Sequence, residues 1–432
     1  YEWIHRKIGT ADVYLICNQQ EASRQVEVIL RDKGRIPELW NAETGEIQRA
    51  PVYQTTDDGR TRLKLFMEPA ESMFVVFKEP SAAPSVVDVL HNGTTPFNNI
   101  APEAPALVIH KATYGAINGE ANLQYDVTEK IRSRVFNNSL EEKVTSTLVG
   151  ADPARDHVKE LRVDYSIDGE HFTASAKVKE VLKINRNVEL VPAPPEPATL
   201  SVAQEGTVLT AWETGNYELV YSDGTRKSVK VSSVPESVDL STDWNLKCPE
   251  GWGSAEVTLD KLISWTKHPD PELNFFSGTA VYGKQFDVPA DRLSEEHAVC
   301  LDLGNVQIIA EVILNDQNLG ILWKPPFKVD VTGLLQEKGN QLEVRVTNLW
   351  VNRLIGDGQY PETDTYLSGK RRGKGLIDKI PDWLKNGAPR PETKRKTFAT
   401  SLFYSKDSPL LESGLIGPVQ LKFGAEKALS EQ

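Results

Sequence analysis

Methionine occurs twice in 432 residues, cysteine three times and histidine seven times. Cys17, Cys248 and Cys300 are odd in number, far apart and set in apolar strand-like runs. That pattern points to buried free thiols and away from a disulfide framework. The histidines (His5, His91, His110, His157, His171, His268 and His297) form no HExxH, and no CxxC occurs. Each is expected at the surface or the edge of a core, and no metal centre is expected. GxSxG, P-loop and dinucleotide fingerprints are missing as well, so no cofactor is expected. No run approaches the ~18 apolar residues of a membrane span. The opening YEWIHRKIG has neither a start methionine nor an apolar leader segment, an opening that fits either a mature secreted chain or a piece of a longer one. Nor do eight strands alternate with eight helices, which argues against a catalytic (β/α)8 barrel in this stretch.

What the chain does hold is alternation. Ala298–Leu303, Ala310–Leu314 and Gln341–Thr347 alternate apolar and polar residues, the period of a half-buried strand. Asn315-Asp316, Pro325-Pro326 and Gly339-Asn340 turn the chain between them. Strands spaced by such turns predict an all-β protein of several β-sandwich or jelly-roll domains in tandem. At 39% hydrophobic and 25% charged, the composition is that of an ordinary globular protein. A net charge of −12 argues against nucleic acid or an anionic membrane as partner.

Taken in order, residues 1–80 read as a small β domain, with Asp57-Asp58-Gly59 as a hairpin turn. Residues 81–106 read as a linker. A second β domain spans 107–190, and the Pro-rich stretch 191–198 follows as another linker. Residues 199–235 form a β segment that either stands alone or completes an earlier domain around an inserted one. The large sandwich runs over 236–424, with 425–432 as a polar tail. Within it, 357–396 breaks the strand pattern, with IDKIPDWLKNG as a short helix, and a loop this long is functional or mobile.

The elements SGTAVYGKQFDVP, LDLGNV, AEVILNDQNLG, PPFKVDVTGLL and GNQLEVRVTNLWVNRLIGD resemble the sugar-binding-type, galactose-binding-like sandwich beside the barrel of glycoside hydrolase family 2. With SGLIGPVQL (Ser413–Leu421) and WGSAEVTLDKLISWT (Trp252–Thr266), the chain resembles the C-terminal region of glycoside hydrolase family 106, the bacterial α-L-rhamnosidases. The resemblance implies a catalytic barrel upstream of Tyr1 as a partner, a glycan substrate, and a periplasmic or extracellular location. It also implies a buttressing role for the sandwich, with the catalytic carboxylates outside this chain.

Such hydrolases use two carboxyl groups flanking the scissile bond. Among 61 Asp and Glu residues no pair stands out, so no catalytic residue is assigned. Asp152–Asp156 offers oxygen ligands for a structural calcium, but without EF-hand spacing a capped turn is expected there. Carbohydrate binding remains, and it calls for an aromatic platform beside hydroxyl-bonding polar groups. Trp350, Asn352, Arg353, Asp357 and Tyr360 supply these at a strand end, and Trp323 and Trp383 add aromatic surface. Against this stands packing of Trp323 and Trp350 in the core, with Arg353 and Asp357 paired structurally. A free-standing carbohydrate-binding array and a cell-surface structural β protein are the alternative functions. Neither internal repeats nor Ser/Thr stalks support them.

Overall fold

A computed structural model describes residues 2–19, 23–81, 84–95, 107–116, 123–135, 140–150, 154, 157–167, 169–184, 197–203, 206–254, 256–362, 366–367 and 375–429. The protein is all-β. Its described helices are short, and none is long and apolar enough to cross a membrane. No (β/α)8 barrel is formed by the described residues. Asp152–Asp156, where a capped turn is expected, lies outside them apart from Ala154, as do half of the 81–106 linker and most of the 191–198 linker.

The first unit packs two antiparallel sheets. One is ordered Glu2–Ile8, Ala11–Cys17, Ser72–Pro80, Arg35–Asn41 and Ile47–Arg49; the other is Arg24–Leu30, Thr61–Met67 and Tyr53–Thr55. Strict alternation in Thr61–Met67 sends Leu63, Leu65 and Met67 into the core with Tyr14, Ile16, Val75 and Phe77. Arg62, Lys64 and Phe66 are left on the opposite face.

The second unit builds a four-stranded sheet around Leu107–Gly115 and Glu160–Ile167, closed by the helix Thr128–Arg132. Its core gathers Ile109, Tyr114, Ile131, Leu140, Leu161 and Val163.

Two stretches differ from expectation. Inside the 81–106 linker, Val86–His91 is a strand paired with Gly215–Tyr221, which in turn pairs with Arg226–Val231. The second unit is therefore inserted between two neighbouring strands of one sheet. The expected tail also begins in a strand, since Gln420–Leu429 continues to Leu429 and pairs with Gly206–Ala211 and His297–Asp302. The polar residues of AEKAL hide its period, because Ala425 and Leu429 face the core shared with Leu209, Tyr217 and Leu219.

The large sandwich has one sheet ordered Glu256–Lys261, Thr242–Lys247, Thr279–Phe286, Asn340–Thr347, Ile309–Leu314 and Gln317–Leu322. The facing sheet runs from the hairpin Ala198–Ala203/Gly206–Ala211 through Gln420–Leu429 to His297–Asp302 and Lys328–Asp330. Trp244, Trp265, Phe276 and Tyr282 fill the space between them, along with Leu301, Val344 and Phe423. Each such aliphatic side chain gains about 1.5–3 kcal/mol on burial. Buried aromatics with polar tips need partners: Trp265 Nε1 donates to the Tyr282 hydroxyl at 2.6 Å, and Leu415 N donates to the same oxygen at 3.0 Å. Burial raises the Tyr282 phenol well above its ordinary range.

Candidate functional site

The end of the strand Asn340–Thr347 feeds the helix Val351–Asp357, and the predicted site residues divide there. Trp350 precedes the helix and is 56% exposed. Its ring meets Trp252 edge to face, with centroids 5.9 Å apart at 79°. Beside Trp252, Lys396 Nζ donates to the Gly251 carbonyl at 3.0 Å and pairs with Glu272 Oε2 at 2.5 Å. An exposed tryptophan backed by a half-buried one, with an ammonium and a carboxylate close by in the fold, has the composition of a surface that binds sugar faces and hydroxyls. Trp252 and the Glu272–Lys396 pair were not singled out in the sequence. The signal for Trp252 was a tryptophan in the turn-forming run Pro249–Gly253, outside any strand pattern; it packs partly against the sandwich core.

Asn352, Arg353 and Asp357 turn inward, and their polar atoms are committed to holding the fold. Asn352 Nδ2 donates to the Leu411 carbonyl at 2.7 Å and to Ser413 Oγ at 2.9 Å, while its Oδ1 accepts from Leu411 N at 2.9 Å. Asp357 Oδ1 accepts from Lys396 N at 3.0 Å. Its Oδ2 accepts from Thr397 N at 2.6 Å and Thr397 Oγ1 at 2.5 Å. Arg353 Nε lies 3.1 Å from Asp357 Oδ1, one helical turn away, as a buried ion pair. That contact misses hydrogen-bonding angles, which leaves Nε without a hydrogen bond. The arginine side chain passes over Gly356, where an added Cβ would stand 2.5 Å from Nη2. These three residues clamp the long loop to the sandwich, and sugar has no access to them.

The remaining candidates sit apart. Tyr360 N donates to the Asp357 carbonyl at 3.0 Å, and its own carbonyl accepts from Arg395 Nη1 at 3.0 Å. Trp383, on the short helix Asp382–Lys385, packs edge to face on Phe398 at 5.3 Å with the Arg390 guanidinium 5.9 Å from its ring. Trp323 is 54% exposed. The next residue, Lys324, reaches Glu43 of the first unit at 3.1 Å. Core packing of Trp323 and Trp350 is therefore not what the fold does, while the structural Arg353–Asp357 pair is.

Other chemistry is thin among the described residues. No group of three or more His, Cys, Asp or Glu side chains is placed to hold a metal ion. The three cysteines are free. Burial pushes the Cys248 and Cys300 thiols up to about 11, so neither is a nucleophile near neutrality.

The family model described as alpha-L-rhamnosidase, of glycoside hydrolase family 106, matches residues 1–55. The chain resembles a family 106-like glycoside hydrolase region. A curated protein from Formosa agariphila named putative beta-glucuronidase is 31% identical across 99% of this family 106-like chain. The alignment covers 43% of that relative, so the chain spans less than half of its length. Among solved structures, the rhamnosidase from Novosphingobium sp. PP1Y superposes over 98% of the chain with a TM-score of 0.51 and 21% identity, which establishes likeness of fold. The chain covers 24% of that rhamnosidase.

Proposed function

We propose that this family 106-like region is the non-catalytic β-sandwich part of a glycoside hydrolase resembling α-L-rhamnosidases. It packs against the catalytic barrel, and its Trp252–Trp350 face, with Trp323 as a second aromatic surface, contacts the glycan. The observation that carries the reading is the set of exposed apolar side chains along the segment 375–411, in and just after the long loop. Phe403 is 80% exposed, with Leu402, Tyr404, Leu376 and Leu411 exposed as well. The loop is pinned in place by Asn352 and Asp357, and Leu402 N donates to the Gly375 carbonyl at 2.8 Å, joining its two arms. A fixed and exposed apolar surface of this kind marks a surface that meets another protein surface. The glycan setting favours the periplasm or the cell exterior.

The test is an assay of this 432-residue chain on an aryl α-L-rhamnoside. No turnover is expected from the chain alone. In the protein at its native length, Phe403→Asp should lower turnover by loosening the contact with the barrel. Turnover by the chain alone would overturn the non-catalytic assignment. The name of the Formosa agariphila relative favours a second substrate class, so an aryl β-D-glucuronide belongs in the same assay.

A further inference from the structure

We propose that a pocket at the meeting point of two sheets, remote from Trp350 in sequence, is a glycan subsite that takes one neutral pyranose unit. The pocket has a volume of 400 Å³ and lies where the end of Thr61–Met67 faces the large sandwich. Phe66 and Trp212 provide its aromatic surface, and the backbone at Phe423, whose ring is buried in the sandwich core, closes one wall. Trp212 rests on the strand Gln420–Leu429 because position 424 is glycine. A Cβ there would lie 3.0 Å from Cε3 and Cζ3 of the indole. The backbone holds the residue from the other side, since Trp212 N donates to the Pro197 carbonyl at 2.9 Å.

The polar lining decides the class of ligand. Glu68 and Glu213 bring acceptors, while Lys328 and Lys422 bring donors. Both lysines already face Asp302, at 4.0 Å and 2.8 Å, so neither is an uncompensated cation awaiting an anion. Acceptors and donors side by side next to an aromatic surface, with Glu68, Glu213 and Asp302 outnumbering the two lysines, suit a ligand that carries no negative charge, has hydroxyls able to donate and accept, and has an apolar face. A neutral pyranose has these properties, whereas a phosphate or a uronate would meet three carboxylates and two ammonium groups. The Cys300 thiol in the lining is held protonated by burial, which argues for binding without covalent chemistry.

The pocket also has a continuation. A cavity of 350 Å³ shares Phe66 and Thr199 with it and runs back along Lys64 on the same outward face of the strand. The proposal stands on this lining and is independent of whether the aryl glycosides above are hydrolysed.

Ligand-observed saturation-transfer NMR on this chain tests it, with methyl β-D-glucopyranoside, methyl α-L-rhamnopyranoside and methyl β-D-glucuronopyranoside as probes. A neutral glycoside should bind, and Trp212→Ala should weaken it by about tenfold or more. Glu213→Gln, at an exposed side chain that leaves the packing intact, should weaken it in the same direction, and Trp350→Ala should leave it unchanged at this pocket. The proposal is overturned if no neutral glycoside gives a signal, if the glucuronoside binds more tightly, or if, in a Trp350→Ala/Trp323→Ala background that removes the other aromatic surfaces, binding survives both pocket variants. Loss of all binding in Trp350→Ala alone would overturn it too, by moving the sugar to the other aromatic face.

Discussion

Asn352 and Leu411 exchange two hydrogen bonds: the amide Nδ2 donates to the Leu411 carbonyl at 2.7 Å and Oδ1 accepts from Leu411 N at 2.9 Å. One buried side chain thus acts as a strand partner and closes a loop of more than fifty residues onto the sandwich. Asn352→Leu would leave Leu411 N without its side-chain partner, while the Leu411 carbonyl keeps Ser413 Oγ and Ser413 Oγ keeps Asn348, at a cost of about 1–3 kcal/mol. The expected outcome is a lower midpoint in urea unfolding, together with new proteolytic cleavage between residues 375 and 411. An unchanged cleavage pattern would refute the clamp.

Tyr282 makes a similar commitment in the core. Its oxygen accepts from Trp265 Nε1 and Leu415 N, and Gly414 leaves room for the arrangement. At Gly414, φ is +97° and an added Cβ would stand 2.5 Å from Trp265 Nε1 and 2.6 Å from the Tyr282 hydroxyl. Tyr282→Phe removes the acceptor and should destabilise by about 1–3 kcal/mol. Gly414→Ala should cost more, since a clash adds to a disfavoured backbone conformation. Equilibrium unfolding of both variants checks the order. A milder effect from Gly414→Ala would show that the core yields locally.

The sheet architecture was legible because strand period and turn chemistry are local, as in Thr61–Met67 or at Asn315-Asp316. The polar half of the candidate site was not. Read as a strand end, Trp350 and Asn352 share a face, because side chains repeat every two residues. The chain bends into a helix at Val351, where residues two apart point about 200° away from each other. Trp350 therefore faces solvent while Asn352 turns in. Local sequence also cannot show that Val86–His91 finds its partner more than a hundred residues later, at Gly215–Tyr221. Nor can it pair Trp252 with Trp350.

The two buried thiols give a pH dependence of definite sign. Burial raises Cys248 and Cys300 from 9.0 to about 11 in the folded chain. The folded state keeps these protons where the unfolded state loses them, so the stability linked to them is fully present below about pH 9 and is lost as pH rises towards 11. Thermal unfolding should show a falling Tm across that window, with a shallower fall in Cys248→Ala/Cys300→Ala. Near neutral pH a thiol reagent should modify both slowly in the native chain and quickly in urea. Rapid native labelling of Cys300 would contradict its burial.

The last strand offers the sharpest division between the sequence reading and the fold. A polar tail at 425–432 could be removed without effect, yet Ala425 to Leu429 pairs with Gly206–Ala211. Ala425 and Leu429 are buried in the core that also holds Leu209, Ala211 and Tyr217. Ending the chain at Gly424 exposes that core and the backbone groups of the 206–211 strand, whereas ending it at Leu429 removes neither. The shorter chain should lose the cooperative unfolding of the 198–231 unit and aggregate through the freed strand edge. The longer truncation should unfold like the intact protein. Hydrogen exchange at Leu209 and Leu219 reads the difference directly: both amides should stay protected in the chain ending at Leu429 and exchange quickly in the chain ending at Gly424. Equal protection in the two would mean that the strand pairing contributes nothing to holding this unit together.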